Sequence, residues 1–99
     1  METNYTFRNI EPTEALKERA NTRILKLKKY LIKPGNVHVI FSVDGHDHLV
    51  EITLNSNGIQ YIGHERTPDM YVSLNGALNK IEKQVKKSKE RLKDHKTHA

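Results

Sequence analysis

NVHVIFSVDGHDHLVEITLNSNGIQYIGH, residues 36–64, decides the fold. Val37, Val39, Ile40, Phe41 and Val43 make the first part a strand, because β-branched and aromatic residues fit a pleated surface. Asp44-Gly45 is a hairpin turn signal. From His48 onward, Val50, Ile52 and Leu54 fall on one face, and Leu49, Glu51 and Thr53 on the other. Asn55-Ser56-Asn57-Gly58 turns the chain again, and Ile59 to His64 reads as a further, shorter strand. Two successive hairpins put three strands side by side and antiparallel. An apolar face on one side only requires a covering layer there.

The flanks supply that layer. Thr3-Asn4-Tyr5-Thr6-Phe7-Arg8 reads as a first strand. Thr13 is a good N-cap, with Glu14 favourably placed in the first turn. Leu16, Ala20, Ile24, Leu27 and Leu31 then recur at steps of three and four, which predicts a helix ending near Tyr30, before Pro34-Gly35. Downstream, Thr67 reads as the cap of a long helix with Pro68 at its first position. Tyr71, Leu74, Leu78, Ile81, Val85 and Leu92 form its apolar stripe. The predicted architecture is α+β, in the order β-α-β-β-β-α, with a four-stranded sheet and both helices packed on one face. Residues 1–93 form a single domain, and the His-containing basic tail at 94–99 is expected to fray.

Charge is segregated along this order. Residues 13–33 carry seven Lys and Arg against Glu14 and Glu18, a net of +5. Residues 69–99 carry eight against Asp69, Glu82, Glu90 and Asp94, a net of +4. Between them, residues 34–68 carry Arg66 against Asp44, Asp47, Glu51 and Glu65, a net of −3. The first twelve residues add −1, and the total is +5. Two cationic helices around a mildly acidic sheet suit a polyanionic partner, because clustered cations raise the local potential and release counterions from nucleic acid.

Within the helices the cations share faces. Arg19, Arg23 and Lys26 step by four and three beside the apolar stripe, and Lys29 and Lys33 extend that surface. Lys80, Lys83, Lys87 and Arg91 step by three, four and four on the last helix. If the helices lie side by side, the two stripes line one groove suited to the phosphates of folded RNA, which is recognised by shape and backbone. Single-strand binders stack bases on exposed sheet aromatics. Here Phe7 and Phe41 read as core, and no aromatic cluster marks a strand.

Other chemistries find little support. There is no cysteine, which excludes disulfides, thiolate metal sites and a thiol nucleophile. No apolar run approaches the length of a membrane span. His46-Asp47-His48 puts two imidazoles together, with His38 and His64 on neighbouring strands, but nothing supplies a converging ligand set. No catalytic triad, paired carboxylates or glycine-rich phosphate loop is present. The expectation is a non-enzymatic binding protein without metal, cofactor or small-molecule substrate, and monomeric when free.

The chain also resembles a known family. Tyr5-Thr6-Phe7-Arg8, followed by Thr13-Glu14-Ala15-Leu16, resembles the opening of the bacterial ribosome hibernation promoting factor family. Arg23-Ile24-Leu25-Lys26-Leu27-Lys28-Lys29 is similar to its first helix, and Asn36-Val37-His38-Val39-Ile40 to its second strand. Asp69-Met70-Tyr71, with Leu74-Asn75 and Asn79-Lys80-Ile81-Glu82-Lys83-Gln84-Val85, resembles its last helix. Asn9 and Ile62-Gly63-His64 depart from that pattern.

The resemblance implies a fold akin to a double-stranded-RNA-binding domain with an added strand. It implies binding to the rRNA of the small ribosomal subunit, in the A- and P-site channel used by messenger and transfer RNA, during stationary phase or starvation. Arg8, Arg23, Lys26, Lys29, Lys80, Lys83 and Lys87 carry over as rRNA contacts, and the helix faces add Arg19, Lys86 and Arg91. The end at Ala99 matches the short type of the family, without the second domain through which long members pair ribosomes. A general double-stranded-RNA-binding module is the alternative. A membrane-surface or protein-docking helix would call for Trp or Phe beside the last apolar stripe, and neither is there.

Overall fold

The computed structural model describes the backbone of residues 1–98 and the side chains of residues 1–89. Its elements are β1 (Glu2–Arg8), α1 (Glu14–Leu27), a 3-10 turn (Lys28–Tyr30), β2 (Asn36–Asp44), β3 (Asp47–Ser56), β4 (Ile59–Thr67) and α2 (Met70–His98). The strands form one sheet in the order β1-β2-β3-β4. β1 runs parallel to β2, pairing Phe7 with Phe41, whereas β2–β3 and β3–β4 are antiparallel hairpins. The predicted β-α-β-β-β-α order is the observed one. Arg91 and Leu92 belong to the side chains outside the described set, and the fraying of the tail from Asp94 stays an expectation.

The hairpin turns are local in origin. Asn57 and Gly58 both take positive φ, 52° and 77°, which Asn tolerates and Gly adopts without strain. Gly45 opens the other turn at φ 64°. Asn9, one of the departures from the family pattern, also sits at positive φ as the chain leaves β1.

One face of the sheet is dry. Val37, Val39, Phe41, Val50, Ile52, Leu54 and Tyr61 form a single core with Leu16, Ala20, Ile24 and Leu27 of α1 and Met70, Leu74, Ala77, Leu78, Ile81 and Val85 of α2. Both helices therefore cover the same face. Phe7 stacks on Phe41 at 4.8 Å, joining β1 to that core. The opposite face carries His38, Glu51, Ile62, His64 and Arg66 in the open.

Three local expectations need correction. β4 extends to Thr67, well past His64. Thr67 stays in register opposite His48, so it cannot cap α2. Asp69 caps instead, its Oδ1 accepting from the Tyr71 and Val72 amides at 2.8 and 3.1 Å. From Leu74 to Val85 the buried stripe is the predicted one, and Met70 and Ala77 join it. Met70 turns inward, 6% exposed, and Tyr71, expected in the buried stripe, is 42% exposed. Finally, Gly63 is where α2 rests on β4: a Cβ there would lie 2.7 Å from the Ala77 carbonyl oxygen.

Candidate nucleic-acid interface

α1 and α2 meet along a seam, and cations line it from end to end. Near the start of α2, the Arg19 guanidinium lies over the exposed Tyr71 ring, 5.4 Å from its centroid. Midway, Arg23 donates to Asn79 Oδ1 at 2.8 Å and to Glu82 Oε2 at 3.2 Å. Lys86 reaches the same carboxylate at 2.8 Å. Below this, Lys29, Lys86 and Lys89 surround the ring of Tyr30.

Among the described residues Glu82 is the one carboxylate in these contacts. Hydrogen bonding from Lys86, then from Arg23, holds it below the ordinary carboxylate range against the opposing effect of burial. Lys86 is held above its ordinary value, chiefly by the same bond. Glu82 ties the helices together but cannot neutralise the seam.

The placement of the sequence candidates follows. Arg19, Arg23, Lys29 and Lys86 come together at the seam. Lys26 steps onto the same side of α1 and is exposed. Lys83 and Lys87 are exposed on α2. Of the stripe predicted on α2, Lys80 and Lys83 line one concavity with Asn79, Glu82 and Lys86, and Asn79 and Glu82 face Arg23 of α1. The Lys80 ammonium itself turns to β4.

Lys80 has a specific task there. β4 is an edge strand, with carbonyls and amides open to pairing. Gln84 Nε2 donates to the Ile62 carbonyl at 2.7 Å, and Lys80 Nζ to the His64 carbonyl at 2.8 Å. Four residues on a helix advance about 6 Å and two on a strand about 6.7 Å, so the pairs match. The Arg66 amide donates to Glu65 Oε1 at 3.2 Å, and Lys80 approaches Glu65 Oε2 at 3.4 Å. That amide, and Lys80 after it, hold the Glu65 carboxyl below its ordinary range.

Arg8 lies away from the seam, in a concavity that Lys80 also lines. It points to the open face of the sheet, where this shallow concavity of about 800 Å³ is shared with Ile40, Ser42, Glu51, His64 and Arg66. Arg66 is already held there by Asp47 at 2.8 Å. Sequence reasoning missed Tyr30, Lys89, Asn79 and Gln84. Tyr30 was the end of a helix and no more, while Lys86 and Lys89 form a separate three-residue step that the chosen stripe passed over. Among the described residues no group of three or more His, Asp or Glu is arranged to hold a metal ion. None of the described helices is long and apolar enough to cross a membrane.

Comparison with known proteins agrees with this architecture. The family model described as Sigma 54 modulation protein / S30EA ribosomal protein matches residues 3–93. The chain is 34% identical over 95 residues to the ribosome hibernation promoting factor of Salmonella typhimurium, covering 96% of this chain and 100% of that protein, and equally to that of Escherichia coli K12. Among solved structures, the N-terminal domain of Thermus thermophilus Protein Y superposes with a TM-score of 0.82 at 25% identity, over 88% of this chain and 98% of that one. A ribosomal subunit interface protein from Coxiella burnetii, 22% identical, shares the fold with a TM-score of 0.78 over 91% and 99% of the two chains. Matched from its first strand through most of its last helix, the chain belongs to the Sigma 54 modulation protein / S30EA ribosomal protein family.

Proposed function

We propose that this protein is a ribosome hibernation factor that binds rRNA of the small ribosomal subunit. Residues 1–93 act as the binding domain, in the cytoplasm, in the channel that messenger and transfer RNA use at the A and P sites. Binding blocks translation reversibly during stationary phase or stress, preserves idle ribosomes and assists their dimerisation. The observation that carries this reading is the α1–α2 seam, where two rigid helices hold Arg19, Arg23, Lys29, Lys86 and Lys89, with Lys26, Lys83 and Lys87 exposed on the same helices and Glu82 the carboxylate in contact among the described residues. The names of the relatives point the same way. Rigid cations positioned on a sheet-backed surface suit the phosphates of folded RNA, where shape and backbone dominate.

The mechanism needs no chemistry beyond occupancy. A protein that fills the channel excludes messenger and initiator transfer RNA by mass action, and they exclude it in turn. With about six phosphate contacts, log affinity falls against log salt with a slope of about −5.

The decisive experiment is in vitro translation with purified ribosomes, adding protein before or after messenger and initiator transfer RNA. Inhibition stoichiometric with ribosomes and weaker when the initiation complex forms first supports the reading. Equal inhibition in both orders at limiting protein removes channel competition, and cut rRNA removes the steric mechanism. Equal affinity for any RNA duplex makes the protein a general double-stranded-RNA-binding module.

A further inference from the structure

Three ammonium groups converge on one side chain that the basic faces of the sequence leave out. Lys29, Lys86 and Lys89 place Nζ 5.2, 5.3 and 5.6 Å from the Tyr30 ring centroid. Lys29 belongs to the 3-10 turn after α1, and the other two to α2. The ring is thus where the exit of the first helix meets the second. Lys89 is fixed further by donating to the Lys29 carbonyl at 3.3 Å, and Lys86 by Glu82 at 2.8 Å.

This convergence opposes the ordinary behaviour of lysine. Three like charges repel, and long flexible side chains lose rotamer freedom when gathered. An ammonium over the face of the ring is attracted by its negative quadrupole, which offsets part of that cost. The ring itself is anchored, because Tyr30 packs against the hydrophobic core. Cations ordered before a ligand arrives bind it with less entropy lost on association.

We propose that Tyr30 is a positioning residue, gathering Lys29, Lys86 and Lys89 into one anion site that takes adjacent phosphates of an RNA strand. The ligand class rests on the rRNA-binding reading above, but the site itself is a property of the isolated protein. Tyr30 does not touch the phosphates; it acts through the three lysines. Among the described residues Glu82 is the carboxylate that contacts the set, and it is already shared with Arg23.

The test separates the site from the ribosome. Inorganic pyrophosphate is titrated into the full chain while the Tyr30 ring and the lysine side chains are followed by NMR. In the wild type, Tyr30, Lys29, Lys86 and Lys89 shift together along one saturable isotherm, ahead of Lys26 and Lys83. Tyr30→Phe keeps the ring and stays within about two-fold of wild-type affinity. Tyr30→Leu keeps an apolar anchor without the quadrupole, and weakens pyrophosphate by about five-fold or more. Should Tyr30→Leu unfold, Lys86→Gln with Lys89→Gln leaves the ring in place and must abolish the shared isotherm. Uniform shifts across all surface lysines, or unchanged affinity in folded Tyr30→Leu, overturn the proposal.

A second arm pellets the same variants with small subunits. Tyr30→Leu lowers affinity several-fold and makes the salt slope shallower, a change that lost packing alone does not produce. If pyrophosphate shows the site while small subunits do not bind the wild type, the anion site stands and the ribosomal reading fails. If small subunits bind wild type and Tyr30→Leu alike, with equal salt slopes, the positioning role fails and the ribosomal reading stands.

Discussion

Arg23 on α1 reaches Glu82 on α2 across 3.2 Å, and this pair joins two helices that are 59 residues apart in sequence at that point. The bridge stands half-exposed in the middle of a cationic seam. Its value lies less in stability than in holding two basic surfaces in one orientation, since half-exposed ion pairs contribute under about 1 kcal/mol.

Glu82→Gln tests the balance at the seam. Removing the carboxylate raises the net charge by one and releases Arg23 and Lys86 toward an anionic ligand. Affinity for small subunits or polyanions at low salt should rise by a few-fold, with a steeper salt slope. Stability should change by under about 1 kcal/mol. The Glu82 carboxyl is lowered in the folded state, so its contribution is present above the unfolded carboxylate pKa. It is lost as pH falls through the lower, folded value. Wild type should therefore lose more stability than Glu82→Gln on acidification into that range. Parallel stability-versus-pH curves from urea unfolding would count against the bridge.

Lys83→Glu with Lys87→Glu reverses two exposed cations of α2 without touching its buried side. Small-subunit binding should collapse, while stability moves by under about 1 kcal/mol per site. Leu78→Ala, at a fully buried position, should do the opposite: cost about 2–5 kcal/mol of folding free energy and spare affinity in the molecules that remain folded. Pelleting and thermal unfolding of both variants separate the two effects. Normal binding by the charge reversal would make this face of α2 a solvated surface only.

Lys80 and Gln84 hold the Ile62 and His64 carbonyls of the β4 edge. Lys80→Ala with Gln84→Ala should expose those groups and promote strand-to-strand association. Light scattering should then show concentration-dependent oligomers that Lys83→Ala does not form. A monodisperse double variant at high concentration would show that the edge needs no such cover.

Gly63→Ala places a methyl 2.7 Å from the Ala77 carbonyl oxygen. Backbone must shift, so urea unfolding should show about 1–3 kcal/mol lost, as for other overpacked sites. A neutral effect would mean that α2 can lift from β4 at little cost.

The sequence alone determined what near neighbours control. Asp44-Gly45 and Asn57-Gly58 specify turns through backbone preference, and alternation at Val50, Ile52 and Leu54 specifies the buried sheet face. Steps of three and four from Leu16 to Leu27 specify α1, and the sign of charge on each segment is composition. Tertiary structure decided what depends on phase and on distant partners. β1 pairs with β2 across a whole helix, which no local signal states. Asp69 rather than Thr67 caps α2, because Thr67 is retained by β4, and Met70 rather than Tyr71 heads the buried stripe. Packing takes the Lys80 ammonium to the sheet edge and brings Lys86 and Lys89 to the Tyr30 ring at the seam. Spacing tells which side chains share a face of a helix. Which way that face points is set by the close approach at Gly63 and by the packing of both helices on one sheet.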